Sequence, residues 1–383
     1  MKKLLLLAAL ALHSASAELK TINDVLGRDV KVDVPVKNAV LMFYFPDYIA
    51  ATGLENFKHI HGISREFWEK YNAGSWQLFV DKIPELKNIA DVGHANNQSF
   101  SLEKTLSLKP DAVIMGKVQY NVIKADVERM EAAGIPVVVV DFNDQTVANH
   151  TKSIRIFGQL AGTEERANAL ADEYAAGMED IEKRVAAAKG PKPKIYIEFG
   201  DKGPGEYSYT FGNNMWGAIA RQVGGDNIAA PFVENWGPIG AEQFLSNPPD
   251  VVMISGTEKD AASKPDIMAM GIGIKEEDAR RRLAGFTKRL GWDGIPAVKN
   301  KRVYGLYHTA SRSITDLASA QFIAKALYPE QFKDVDPLKN YLDFHRKYLG
   351  VEPQGTFFLA PQAQEPQAQA PQDSKPQSSP EAK

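Results

Sequence analysis

The sequence predicts two α/β lobes with mainly parallel sheets, and three observations carry that prediction. Apolar runs of strand length alternate with helical patterns along the chain, the signature of parallel sheets covered by helices. One helix-turn-strand unit occurs twice, about 140 residues apart, a weak internal repeat of the kind that stacks or pairs similar units. The length left after a short leader and a biased tail is about that of two ordinary domains.

The repeat is the most informative of the three. Its first copy runs Glu103, Lys104, Thr105, Leu106, then Leu108, Lys109, Pro110, Asp111 and Ala112 to Met115. Its second copy runs Glu242, Gln243, Phe244, Leu245, then Pro248, Pro249, Asp250 and Val251 to Ile254. Each reads as a short helix, a Pro-Asp turn and a strand apolar on both faces. Further strands are expected at Ala39 to Phe43, Ile135 to Val140, Ile195 to Phe199 and Arg302 to Tyr307. The expected organisation is a leader over 1–17, a first lobe over 18–145, connecting helices over 146–190, a second lobe over 191–350 and a tail over 361–383.

Within the connecting stretch, Ala167, Leu170, Tyr174, Met178, Ile181 and Val185 recur at helical spacing. Thr163 is placed as N-cap, Glu164 and Glu165 suit the first turn, and Gly190-Pro191 follows the end. A helix from 163 to 189 is about 40 Å long at 1.5 Å per residue. The pattern alone suits a stiff inter-lobe connector and an ordinary lobe helix equally.

Lys2 and Lys3, the apolar run Leu4 to Leu12, and Ala15-Ser16-Ala17 have the layout of a cleavable export signal. The run is far below the ~20 residues that cross a bilayer, so the mature chain is expected to begin at Glu18 and not to be membrane-inserted. The formal charge of −3 becomes −5 when the two leader lysines go, and no basic excess points to nucleic acid. With no cysteine, disulfides, thiolate metal sites, thiol catalysis and an N-terminal lipid anchor are excluded. From Pro361 to Lys383 Gln, Pro, Ala, Ser and Glu dominate, with no aromatic or branched aliphatic residue, a composition expected to stay unfolded. There is no G-x-S-x-G elbow, P-loop or H-E-x-x-H motif.

Several stretches together resemble the periplasmic binding proteins of siderophore, haem and vitamin B12 importers, the helical-backbone class of ABC-importer proteins. They are Asp24, Leu26, Gly27, Arg28, Val30 and Val32 to Pro35; Ser101-Leu102-Glu103 through Asp111; Phe199-Gly200; Val223 through Ile228; and Trp236 through Glu242. The resemblance covers about residues 21 to 330. It implies two lobes facing across a cleft and bridged by one long rigid helix, which favours the connector reading of 163–189. It implies a ligand rather than a cofactor, no catalysis, and an ABC permease with its ATPase as partners. It also implies that Glu103 and Glu242 are acidic knobs that dock on the permease, where a lone Glu at a helix start would otherwise only complement the helix dipole.

Cleft loops belong at the carboxyl ends of the strands. The candidate ligand contacts there are Tyr44, Tyr48, His94, Lys117, Tyr209, Trp236, Tyr307, His308 and Arg312. Aromatic walls with a few cations suit an anionic chelate or a planar macrocycle. A ferric siderophore delivered by a periplasmic monomer is the leading expectation. Haem or a corrinoid, a free metal on His94 and His308, and a molybdate-type oxyanion on Arg312 and Lys117 are alternatives. A chelatase-like enzyme on the same scaffold is the reading of a different class. Phe67 to Ile83 is expected to form a helical flap over the first lobe.

Overall fold

The structure, a computed structural model, describes residues 17–361. The expected leader, apart from Ala17, and the tail after Pro361 lie outside the described residues. The first lobe opens with an antiparallel pair, Glu18–Asn23 and Asp29–Val34. Its core is a five-stranded parallel sheet in the order Ala90–Asp91, Ile60–Ile63, Ala39–Leu41, Ala112–Gly116, Val137–Val140. The chain builds from Ala39–Leu41 to one edge, then crosses to the other side. That reversal leaves a crevice at the carboxyl ends of Ala39–Leu41 and Ala112–Gly116.

The second lobe has Lys194–Phe199, Val251–Gly256 and Val303–Tyr307 as parallel central strands. Tyr209–Phe211, Trp236–Pro238 and Phe358–Leu359 add antiparallel to its sides. The repeat has a structural cause. Asp111 accepts from the backbone N–H groups of Lys37 and Asn38 at 2.9 Å, and Asp250 accepts from that of Lys194 at 2.8 Å. In each lobe the Pro-Asp turn pins the start of the neighbouring strand.

The long helix is Glu164–Ala186, 23 residues. It stops before 189 because the chain turns through Ala187 toward Gly190 and Pro191, which continue no helix. Thr163 makes no side-chain cap, contrary to expectation; its hydroxyl donates to the Ala51 carbonyl at 3.4 Å. The preceding helix, Val147–Ala161, ends on Gly162 at φ +71°, the left-handed cap that glycine takes without cost. The two helices then run back on each other so closely that a Cβ on Gly158 would lie 2.4 Å from Ala167 Cβ. At its middle the long helix meets helix Asp316–Leu327 of the second lobe, where a Cβ on Gly177 would lie 2.6 Å from Leu317 Cδ2.

These three helices share one buried carboxylate. Asp316 accepts from the Tyr174 hydroxyl at 2.9 Å and pairs with His150 Nε2 at 2.9 Å. The other ring nitrogen of His150 faces the Thr146 carbonyl at 3.0 Å, which only accepts. Both nitrogens must therefore donate, and the ring is an imidazolium. Burial opposes that charge, but Asp316 outweighs it and raises the His150 pKa above its ordinary 6.5. A group whose folded pKa is raised contributes fully below its unfolded pKa and loses that contribution as pH rises through the folded value. Asp316→Asn should therefore lower the unfolding free energy by ~3–5 kcal/mol in urea titrations at about pH 6. The gap from wild type should narrow as pH rises past the folded His150 value.

Candidate functional site

The lobes meet over a floor of direct hydrogen bonds. Asp47, on the first-lobe helix Phe45–Thr52, accepts from the Ser313 hydroxyl at 2.8 Å and the Ile314 amide at 2.7 Å. Burial pushes its carboxyl up to about 7. The Gln145 side chain donates to the Ser311 carbonyl, and that of Gln222 donates to the Gln145 carbonyl. A cavity of about 60 Å³ lies between the lobes, lined in part by Phe43, Tyr44, Asp47, Thr309, Arg312 and Ser313.

Arg312 follows the last parallel strand through the turn His308–Ser311 and stands in this cleft. Its guanidinium makes no hydrogen bond or ion pair among the described residues. The neutral Tyr44 hydroxyl stands near it, and the Phe43 ring centroid lies 5.9 Å from it. Burial lowers its pKa, but a guanidinium stays protonated in any case. A partly buried cation with no acid beside it leaves its charge for something else to satisfy.

Two histidines, one from each lobe, feel the charge of Arg312. His94 sits on a turn that needs glycine before it: Gly93 has φ +74°, and a Cβ there would lie 1.9 Å from the Ser99 carbonyl oxygen. Its ring stacks on Phe67 at 4.2 Å, and its Nδ1 accepts from the Asn96 amide at 3.3 Å. His308 stacks on Phe199 at 4.2 Å, and its Nδ1 accepts from Trp216 Nε1–H at 3.2 Å. Burial, with Arg312 second, lowers His94 to about 4 and His308 to about 3. Both rings are thus neutral at ordinary pH. Since each Nδ1 is an acceptor, each carries its proton on Nε2, and neither Nε2 has a partner among the described residues.

The other expected contacts divide by exposure. Trp236 and Tyr209 pack edge to face at 5.1 Å on adjacent strands, 58% and 40% exposed, as an aromatic lip on the second lobe. Tyr44 is buried at the crevice, close enough to Gly116 that a Cβ there would lie 2.9 Å from its ring. Tyr48 lies inside the first lobe against Phe157, and Tyr307 lines the cavity while packing on Phe357. Lys117 is half-exposed and paired with Asp144 at 2.6 Å, which raises its pKa. Glu103 and Glu242 are exposed on equivalent six-residue helices, Leu102–Ser107 and Ala241–Ser246. No group of three metal-ligating side chains occurs among the described residues.

Phe43, Phe67 and Phe199 build the site and were not among the expected contacts. Phe43 and Phe199 end apolar runs at the carboxyl ends of strands, which is the signal that marks them. Phe67 carries none, because its partner His94 lies on another loop.

Two lobes held by a long helix around a cleft with unsatisfied donors define a substrate-binding protein that carries a ligand rather than a cofactor. The family model for periplasmic binding proteins matches residues 62–309, and the chain belongs to that family, in its helical-backbone class of ABC-importer subunits. The crystal structure of a TroA-like periplasmic binding protein, FepB, from Veillonella parvula is 32% identical and covers 89% of this chain and 99% of its own, with a TM-score of 0.83. The molybdate-binding protein MolA of Haemophilus influenzae is 23% identical over 374 residues, 91% of this chain and 96% of its own. An ABC transporter substrate-binding lipoprotein of Bacillus subtilis is 26% identical over 254 residues, 65% of this chain and 71% of its own. Proteins of this class are not enzymes and work with a permease and an ATPase.

The tautomers are directly testable. Long-range ¹H–¹⁵N spectra at about pH 6, where an ordinary histidine near pKa 6.5 is largely protonated, should show His94 and His308 neutral with the proton on Nε2.

Proposed function

We propose that this chain captures an anionic metal complex between its lobes in the periplasm and hands it to an inner-membrane ABC permease. The observation that carries this reading is Arg312, a partly buried cation without an acidic partner among the described residues, set near two neutral histidines with free Nε2–H groups. Cation plus neutral donors attract an anion without the self-repulsion of three cations. The same tautomers argue for His94 and His308 as donors, since a metal on Nε2 needs Nδ1 to donate.

A ferric chelate is the ligand we favour. Its anionic groups reach Arg312, and its organic rim lies on the aromatic lip of Trp236 and Tyr209. Lys117 then joins from the edge by exchanging Asp144 for the ligand. A second reading, a tetrahedral oxyanion such as molybdate, has the small cavity beside Arg312 and the similarity to MolA in its favour. In either case residues 18–145 and 191–350 act as the two lobes of a monomer exported by the leader ending at Ala17. Glu103 and Glu242, one per lobe, orient the loaded protein on cationic sites of the permease.

Titration of residues 18–360 with ferric chelates, haemin, cobalamin, bare divalent metals and molybdate, followed by tryptophan fluorescence, tests the ligand class. Saturation by a ferric chelate or molybdate at one equivalent is expected; response to bare metal alone would overturn the anion reading. Arg312→Ala should weaken binding at least about tenfold, the equivalent of ~1.4 kcal/mol, and Lys117→Ala less, because that side chain is half-exposed. Glu103→Arg with Glu242→Arg should leave binding unchanged and abolish transport in proteoliposomes holding the cognate permease.

A further inference from the structure

The flap helices Arg65–Tyr71 and Ala73–Val80 belong to the first lobe, where Trp68 and Phe79 pack on Phe45 at 4.6 and 5.1 Å. Their junction nevertheless touches the second lobe at three places. Glu258, just past strand Val251–Gly256, brings its carboxylate to the start of helix Ala73–Val80. A Cβ on Gly74 would lie 2.6 Å from its Oε1, so the backbone at the start of that helix packs directly on the carboxylate. The Tyr307 hydroxyl donates to the same oxygen at 3.3 Å. The Thr309 hydroxyl donates to the Asn72 side-chain carbonyl at 3.2 Å, and Lys259 Nζ stands 4.4 Å over the Tyr71 ring.

The flap is also the support of the donor array. Tyr71 leans on Phe67 at 4.9 Å, and Phe67 stacks on His94. A continuous set of contacts therefore runs from a second-lobe carboxylate, through the flap, to a first-lobe ligand donor. We propose that Glu258 is a latch: a positioning residue that ties the flap to the second lobe, holds His94 toward the cleft through Tyr71 and Phe67, and sets how fast ligand leaves. Its Oε2 is buried without a hydrogen-bond partner among the described residues. The closed latch thus leaves one carboxylate oxygen dry, which opposes permanent closure and lets the flap release. An acid is suited to this place because the first turn of a helix presents unpaired amides and a positive end.

The role in ligand release rests on the cleft being the binding site, as proposed above; the latch itself does not. The chain has no cysteine, so Lys70→Cys and Ser263→Cys place one spin label on the flap and one on the second lobe of the full mature chain. Electron–electron distance measurements without ligand should give one narrow distribution, which Glu258→Ala broadens to longer distances. Glu258→Gln should recover most of the narrow population, because it keeps the shape packed on Gly74 and an oxygen that accepts from the Tyr307 hydroxyl. Thr309→Val, which keeps the shape of the contact, serves if Glu258→Ala fails to fold, and should broaden the distribution in the same sense. Dissociation of molybdate and of ferric citrate by stopped-flow fluorescence should be about tenfold faster in Glu258→Ala, a loss of ~1.4 kcal/mol, with association little changed. An unchanged distance distribution in Glu258→Ala, or in Thr309→Val where that variant stands in, overturns the latch. Broadening with unaltered dissociation overturns its control of release. If neither ligand binds, the proposed ligand class falls, and the spin-label result still decides the latch.

Discussion

The carboxylate of Asp316 is the constraint on which the placement of the two lobes depends. It sits at the first turn of a second-lobe helix and takes its partners from the long helix and from the helix before it. A buried charge stands only where hydrogen bonds and an opposite charge replace its water. Here Tyr174 and the His150 imidazolium supply both. Two glycines, Gly158 and Gly177, leave room for the Ala167 and Leu317 side chains of the facing helices. Polar satisfaction and steric fit therefore agree on a single inter-lobe geometry, and the cleft inherits it.

A cleft fixed in this way can hold an unsatisfied cation. Arg312 is partly sheltered by the lobes from solvent and has no acidic partner among the described residues, a state that costs free energy in the empty protein. The burial that leaves it exposed in charge also strips His94 and His308 of theirs. The result is one charge flanked by neutral donors, whose hydrogens are fixed in direction by Asn96 and Trp216. Direction set in advance is what makes such donors useful, since little ordering remains to be done when a ligand arrives.

The two lobes are built alike but line the cleft differently. Asp111 and Asp250 perform the same task at the root of each lobe, holding the start of a strand. At the cleft the symmetry ends. The second lobe contributes Arg312, His308 and the exposed aromatic lip, while the first contributes His94 and a flap that leans across to Glu258. Unlike loops thus stand on like frames.

Much of the frame was legible in the amino-acid sequence, because it rests on local signals. The Glu-to-Asp repeat, the continuous apolar strands and the three- and four-residue spacing from Ala167 to Val185 each report a short stretch of chain, and each appears near its expected place. Arg312, His94 and His308 were also legible, as polar residues just past strands. Thr163 was misplaced as a cap, since the Ala51 carbonyl, far away in sequence, competes for its hydroxyl. What tertiary structure alone decided is the state of the site: which histidine nitrogen bears the proton, that Arg312 lacks a partner where Lys117 has one, and that a carboxylate at 258 lies against the start of a helix beginning at 73. Those outcomes depend on burial and on contacts between residues far apart in the chain, and neither leaves a periodic mark in sequence.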